Sequence, residues 1–285
     1  MKEKISFFVQ KKITQFFGWI ANKNCSFLTK IFIKFFVKKY KINLQENRLN
    51  HYSQYKNINS FFLRKLKKKN RPIASGYNQL VSPVDGIITE LGKIQKNIII
   101  QAKKYNYTLE SLFANDINSS ILFKNGLFIT FYLSPANYHR VHMPYSGILK
   151  KMIYIPGTFF SVNKKNVNSI SNIFTKNERI ICIFNTKFGM MAQILIGSII
   201  VGSISTKWHG IINKKHENEI QYWNYSKNNK IFLKKGEEMG KFQIGSTVIT
   251  LFQKKYITLN SSLKKKMFIK FGSEIGNVSD LKKTN

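Results

Sequence analysis

Acidic residues are scarce: 13 Asp plus Glu stand against 47 Lys plus Arg in 285 residues, a formal net charge of +34. A chain so short of negative charge attracts anions. Nucleic acid and anionic lipid headgroups both qualify, because each is drawn by a salt-screened field rather than by specific contacts. Much of the lysine accompanies a general richness in Asn, Ile and Phe, a bias that AT-rich coding produces without functional demand. Cysteine is almost absent. Cys25 and Cys182 lie far apart and match no metal-ligand or redox spacing, which argues against a disulfide framework or a zinc site and fits a reducing compartment. No long apolar run opens the chain, since Ile5 to Val9 behind Met1-Lys2-Glu3-Lys4 is too short for a signal-peptide core, and the N-terminus is expected to be retained. Also missing are a Gly-x-Ser-x-Gly elbow, a helix-turn-helix signature, zinc-finger spacing, an RNP-type aromatic motif and any internal repeat. These gaps weaken the reading that net charge invites, a nucleic-acid-binding protein, and also the alternative of a serine hydrolase using Asp85, His142 and Ser246 on an external ester.

What is present is enough apolar material, 43% of residues, for a substantial core. Residues 1 to about 45 read as amphipathic helix, with Ile13, Phe16, Phe17 and Ile20 on one stripe and Leu28, Ile31, Phe32, Phe35 and Phe36 on another. Lysines fill the other faces and Trp19 suits the headgroup level, so spacing alone allows either an interfacial membrane helix or helices packed on their own domain. Residues 64 to 71, Arg-Lys-Leu-Lys-Lys-Lys-Asn-Arg, form a charge run ending at Pro72 that reads as a solvated connecting segment. It divides a helical region, 1–71, from a β-rich domain, 72–285. Beyond it come short β-branched and aromatic runs between turn residues: Gly86 to Leu91, Asn97 to Ala102, Leu127 to Leu133, Ile148 to Ile155 and Arg179 to Phe184. Phe188 to Thr206 carries no charge over nearly the length of a membrane span. Its Gln193, its serines and Gly189, Gly197 and Gly202 break it into pieces of strand length, so two buried strands joined by a Gly-Ser turn are expected instead. The C-terminal residues from Leu281 to Asn285 look like a frayed tail.

Three segments could carry chemistry. Ser82-Pro83-Val84-Asp85-Gly86 is first of all a turn, and Asp85 a turn former. Ser134 to Pro144 holds His139 and His142, two of five histidines, three residues apart. They share a face in a helical turn and point opposite ways in an extended chain. No third ligand at a recognisable spacing accompanies them, so no metal is expected, and an acid-base pair is the better functional reading beside two buried, hydrogen-bonded histidines. The third segment, Gly240 to Ile249, is a strand interrupted by Gly245-Ser246-Thr247, plainly explained as a bulge.

Together, in this order and at these separations, the three segments resemble the bacterial phosphatidylserine decarboxylase family, the pyruvoyl-dependent prokaryotic type. The likeness runs from about residue 10 to 260, through Leu91-Gly92-Lys93-Ile94, Ile155-Pro156-Gly157, Asn177-Glu178-Arg179, Gly202-Ser203-Ile204 and Lys235 to Ile249. The departures are extra Lys and Asn, and Ile244 where the family more often has Leu. The resemblance implies a proenzyme cut between Gly245 and Ser246 into a large chain, 1–245, and a small chain, 246–285. Gly245, lacking a Cβ, leaves its carbonyl open to the Ser246 hydroxyl. By similarity His142 is the base that activates Ser246, Asp85 orients His142, and His139 assists decarboxylation. Ser246 would become a covalent pyruvoyl group, a pyruvate-derived cofactor, which takes the amine of phosphatidylserine as a Schiff base and accepts the electrons released with carbon dioxide. The implied partners are an anionic membrane surface and phosphatidylserine, with no nucleic acid; the implied assembly is a homodimer of processed heterodimers, peripheral on the cytoplasmic side of the cell membrane. The implied fold class is α+β, with N-terminal amphipathic helices followed by a mainly antiparallel, sandwich or barrel-like β core.

Overall fold

The computed structural model describes residues 18–24, 26–102, 104–198, 204–212, 219–242, 246–254 and 256–279. The fold is α+β, with helix concentrated at the N-terminus and antiparallel sheets beyond it. The dominant sheet runs, in order, through Gln221–Asn224, Gly147–Ile155, Arg179–Thr186, Gly189–Ile196, Ser246–Phe252, Leu127–Leu133, Gly86–Lys93 and Phe268–Ile269. A second sheet orders Gly210–Ile211, Ile204–Thr206, Glu238–Phe242 and Arg140–His142. A third joins Gln79–Val81, Glu274–Val278 and Ile257–Leu259.

These sheets stack because the large one is apolar on both faces. In the strand Ser246–Phe252 every residue is buried, and side chains alternate between two cores. Val248 and Phe252 join Leu133, Phe131, Val141, Met239, Phe242 and Ile275 in the layer between the large sheet and the two smaller ones. Ile249 and Leu251 join Phe113, Phe123, Val167 and Phe174 beneath short helices on the opposite face. The sandwich expectation therefore holds.

Phe188 to Thr206 contains two largely buried strands, as expected, Gly189–Ile196 and Ile204–Thr206, which belong to different sheets; residues 199–203 between them lie outside the described residues. Glu238–Phe242 and Ser246–Phe252 also lie in different sheets, where a single bulged strand was expected. Gly245, with residues 243 and 244, lies outside the described residues.

In the helical region, Ser26–Tyr40 packs Ile33 and Phe36 onto Tyr55, Phe61 and Phe62. The stripe expected from the sequence lies mostly on the other side: Leu28, Ile31, Phe32 and Phe35 are exposed, Phe27 is 72% exposed, and of that stripe only Phe36 is buried. Ile13, Phe16 and Phe17 lie outside the described residues, as does Cys25; Cys182 is buried in the sheet core. Among the described residues no helix is long and apolar enough to cross a membrane.

Candidate active site

Ser246 opens the central strand of the large sheet, in register with Leu133, and is fully buried. It shares alternation with Val248, so it faces the layer between the sheets. Its hydroxyl has no hydrogen-bond partner, and neither has that of Thr247 on the opposite face. An unpartnered buried hydroxyl costs roughly 1–3 kcal/mol.

Leu133 ends the neighbouring strand, and the chain then turns through Ser134 to Asn137, where Asn137 Oδ1 accepts from the backbone N–H of Ser134 at 2.8 Å. His139 follows, its carbonyl accepting from Phe242 N–H at 2.9 Å, and Arg140–His142 pairs with Glu238–Phe242. The segment is extended, so residues three apart face opposite ways. The two imidazoles are thus in separate settings. His139 is completely buried, with the edge of Phe62 at 6.0 Å between ring centroids. Burial, and then the charge of Arg64, lowers its pKa to about 3.

His142 stacks on Phe271 at 3.7 Å and places Nδ1 2.9 Å from the carbonyl of Gly236 and Nε2 3.0 Å from the hydroxyl of Tyr138. A carbonyl can only accept, so Nδ1 carries the proton and Nε2 the lone pair. Burial pulls the pKa of His142 down to about 4, while that of Tyr138 is pushed up, which keeps the phenol a donor. Gly236 sits at φ +77, and a Cβ there would meet Ile73 Cδ1 at 2.2 Å, so only glycine aims this carbonyl at the ring without strain.

Asp85 does lie in a bend, but its carboxylate points inward. It accepts from Arg71 Nε at 3.0 Å and Nη2 at 2.6 Å, and from Phe271 N–H at 2.8 Å. Arg71 Nη2 also reaches Glu46 at 2.7 Å. Burial opposes the charge of Arg71, yet the bonds from Asp85 and Glu46 outweigh it and raise its pKa. Asp85 and His142 therefore meet through Phe271, whose N–H serves the carboxylate and whose ring covers the imidazole, and no hydrogen bond joins them directly. Beside them a cleft of about 250 Å³ is lined in part by Lys41, Glu46, Arg64, Arg71, Tyr138 and Lys270.

The charge run read as a solvated connector is the largest correction. Its two ends, Arg64 and Arg71, are only 5% and 8% exposed, because each guanidinium fork finds fixed oxygens: Ala136 and Asn137 carbonyls for the first, the Asp85 and Glu46 carboxylates for the second. Sequence reasoning also passed over Tyr138 and Gly236. One signal was available for the arginines. Only five of the 47 basic residues are Arg, and four of them, Arg64, Arg71, Arg140 and Arg179, are buried.

Taken together, a sandwich core with a buried unpartnered serine, two neutral imidazoles and a carboxylate locked to arginine is the equipment of an enzyme. A family model described as phosphatidylserine decarboxylase matches residues 58–277. Among curated relatives, the phosphatidylserine decarboxylase proenzyme of Hamiltonella defensa is 46% identical over 280 residues, 97% of each chain. That of Baumannia cicadellinicola is 45% identical over 277 residues, 96% of this chain and 95% of the relative. That of Escherichia coli strain K12 is 46% identical over 266 residues, 92% of this chain and 83% of the relative. The chain belongs to the phosphatidylserine decarboxylase family.

Proposed function

We propose that the chain decarboxylates phosphatidylserine to phosphatidylethanolamine after cutting itself between Gly245 and Ser246, and that it works on an anionic membrane surface. The observation that carries the reading is the Ser246 hydroxyl, buried and without a partner at the first residue of a central strand. A family of proenzymes gives that otherwise costly atom a task.

In the cut, Ser246 Oγ bonds to the Gly245 carbonyl carbon, the amide bond between them breaks, and the Ser246 nitrogen takes up a proton. The resulting ester eliminates across Cα–Cβ of residue 246, releasing the Gly245 carboxylate, and hydrolysis of the dehydroalanine leaves ammonia and the new terminus. His142 is the base, through Nε2, which Tyr138 covers in the resting arrangement. Asp85 supports it across Phe271, since its negative charge favours the imidazolium. Ser246 would hold the pyruvoyl group covalently, and a carbonyl there supplies the electron sink that loss of carbon dioxide from an amino acid requires. His139, a neutral imidazole buried beside Phe62, is the candidate for assisting decarboxylation by positioning the serine carboxylate.

Membrane docking is supported by the outward face of Ser26–Tyr40. Phe27, Leu28, Ile31 and Phe35 are exposed there, beside Lys30, Lys34, Lys38 and Lys39, and Lys23 lies 3.5 Å over the ring of Trp19. The pairing of processed chains into a homodimer rests on the family likeness alone. Carbon dioxide release from carboxyl-labelled phosphatidylserine, abolished by hydroxylamine or borohydride, is the expected result. A serine hydrolase would be indifferent to both reagents, and labelled substrate left intact by fresh protein would overturn the assignment.

A further inference from the structure

We propose that Arg64 is a positioning residue for turnover, fastening from the helical region the loop that carries His139 and keeping a fixed positive charge beside that imidazole. The inference rests on the reading of His139 given above.

The geometry is a two-way clamp. Arg64 Nη2 donates to the carbonyls of Ala136 at 2.6 Å and Asn137 at 2.9 Å, the last two before Tyr138-His139, and Nη1 reaches the carbonyl of Phe61 at 3.4 Å. In the other direction Arg140 Nη2 and Nε donate to the carbonyl of Leu63 at 2.6 and 3.1 Å. Residues 61–64 and 136–140 are thus cross-linked on both sides of His139, with Phe62 edge-on to its ring.

Arg64 is also a cation without a partner of opposite charge. Arg71 and Arg140 each pair with a carboxylate, but among the described residues Arg64, like Arg179, has none and is held by carbonyls. Burial brings its own pKa down to about 10. An apolar side chain of similar volume would fill the site without the desolvation cost of an unpaired charge. The charge has a use at His139, where it adds to burial in keeping the ring neutral. Other charged or titratable groups on the packed elements are Arg140, bound to Glu238; Lys241, opposite Arg140; and Tyr138 with His142. Of these charged neighbours, Arg64 is the one that acts on the His139 ring.

The test compares full-length Arg64→Met, Arg64→Lys and His139→Ala with the parent for chain cutting, thermal stability, and kcat and KM across pH 4.5 to 8.5. Arg64→Met is expected to cut normally, to lose at least tenfold in kcat with KM little changed, and to gain an acid limb as His139 takes up a proton at higher pH. Arg64→Lys keeps the charge but is shorter and loses the second nitrogen that reaches Phe61, so its kcat falls several-fold with the parent pH profile. Parent kcat and profile in Arg64→Met would overturn the proposal, and so would equal losses in both variants with unmoved profiles, the mark of a merely structural role. Should the Met variant fail to fold, undiminished kcat in the Lys variant overturns it alone. If His139→Ala turns over at the parent rate, the role of His139 falls and this inference with it. If His139→Ala is slow while Arg64→Met is not, only the role of Arg64 falls.

Discussion

Along Ser26–Tyr40 most large apolar side chains face outward, and farther along the helical region two arginines are buried, whereas in the sheets apolar side chains fill two cores and lysines lie outside. Each region inverts the other. In the sheets the inversion is ordinary burial, which fixes Ser246 in a strand that cannot shift register without exposing a core face. In the helical region it marks two interfaces. One is the outward apolar face, proposed above to dock on a membrane; the other is the contact with the site, where Glu46, Arg64 and Arg71 reach Asp85 and the loop before His139. The helices are therefore part of the site's architecture.

The contrast can be broken in several places. The largest effect belongs to the sheet side: Ser246→Ala and His142→Ala are each expected to leave the chain uncut on denaturing gels, and normal cutting in either removes that residue from its role. On the helical side, Arg71→Met leaves Asp85 and Glu46 without their cation. Breaking a buried pair in this way is expected to cost about 3–5 kcal/mol in chemical denaturation. An unchanged midpoint would mean that the two regions are held together by packing alone.

How far the sequence reveals these regions differs for the same reason. The strand Leu127–Leu133 is legible to the residue, because an apolar run between turn signals is a local pattern. The helix is legible as a helix, but not its faces, since Ile33 and Phe36 are chosen for burial by Phe61 and Phe62, some thirty residues away in the chain. Arg64 and Arg71 read as solvent-facing because their partners, Ala136, Asn137 and Asp85, are supplied by tertiary structure. That Glu238–Phe242 and Ser246–Phe252 join different sheets is equally nonlocal. Asp85, His139, His142 and Ser246 were legible only as a set whose order and spacing resemble a family.

A smaller effect sharpens the outward face. Replacing Phe27 and Phe35 by Ser is expected to weaken binding to anionic vesicles by about tenfold each while the folded core keeps its stability, given roughly 1.5–3 kcal/mol for a fully buried Phe. Unchanged binding would assign docking to charge alone.

Acid provides a finer probe. His139 and His142 have folded pKa values of about 3 and about 4, below the ordinary 6.5. The unfolded chain therefore binds protons that the folded chain refuses, so their contribution is intact above about pH 6.5 and is lost as pH falls toward 4. The expected slope is about 1.4 kcal/mol per pH unit for each histidine. A flat stability profile between pH 6.5 and 4.5 would mean that the rings are solvated. The smallest expected change is Tyr138→Phe, at about 1 kcal/mol of stability with cutting preserved; loss of cutting there would make the phenol a participant in proton transfer.

The account turns on one covalent bond, and intact-mass analysis of active protein reads it directly. Two chains from the 33.3 kDa precursor are predicted, the smaller beginning at residue 246 with a ketone where the serine amine had been and a methyl group where the hydroxyl had been. A single unbroken chain with an ordinary serine at position 246, in protein that still releases carbon dioxide from its substrate, would contradict it.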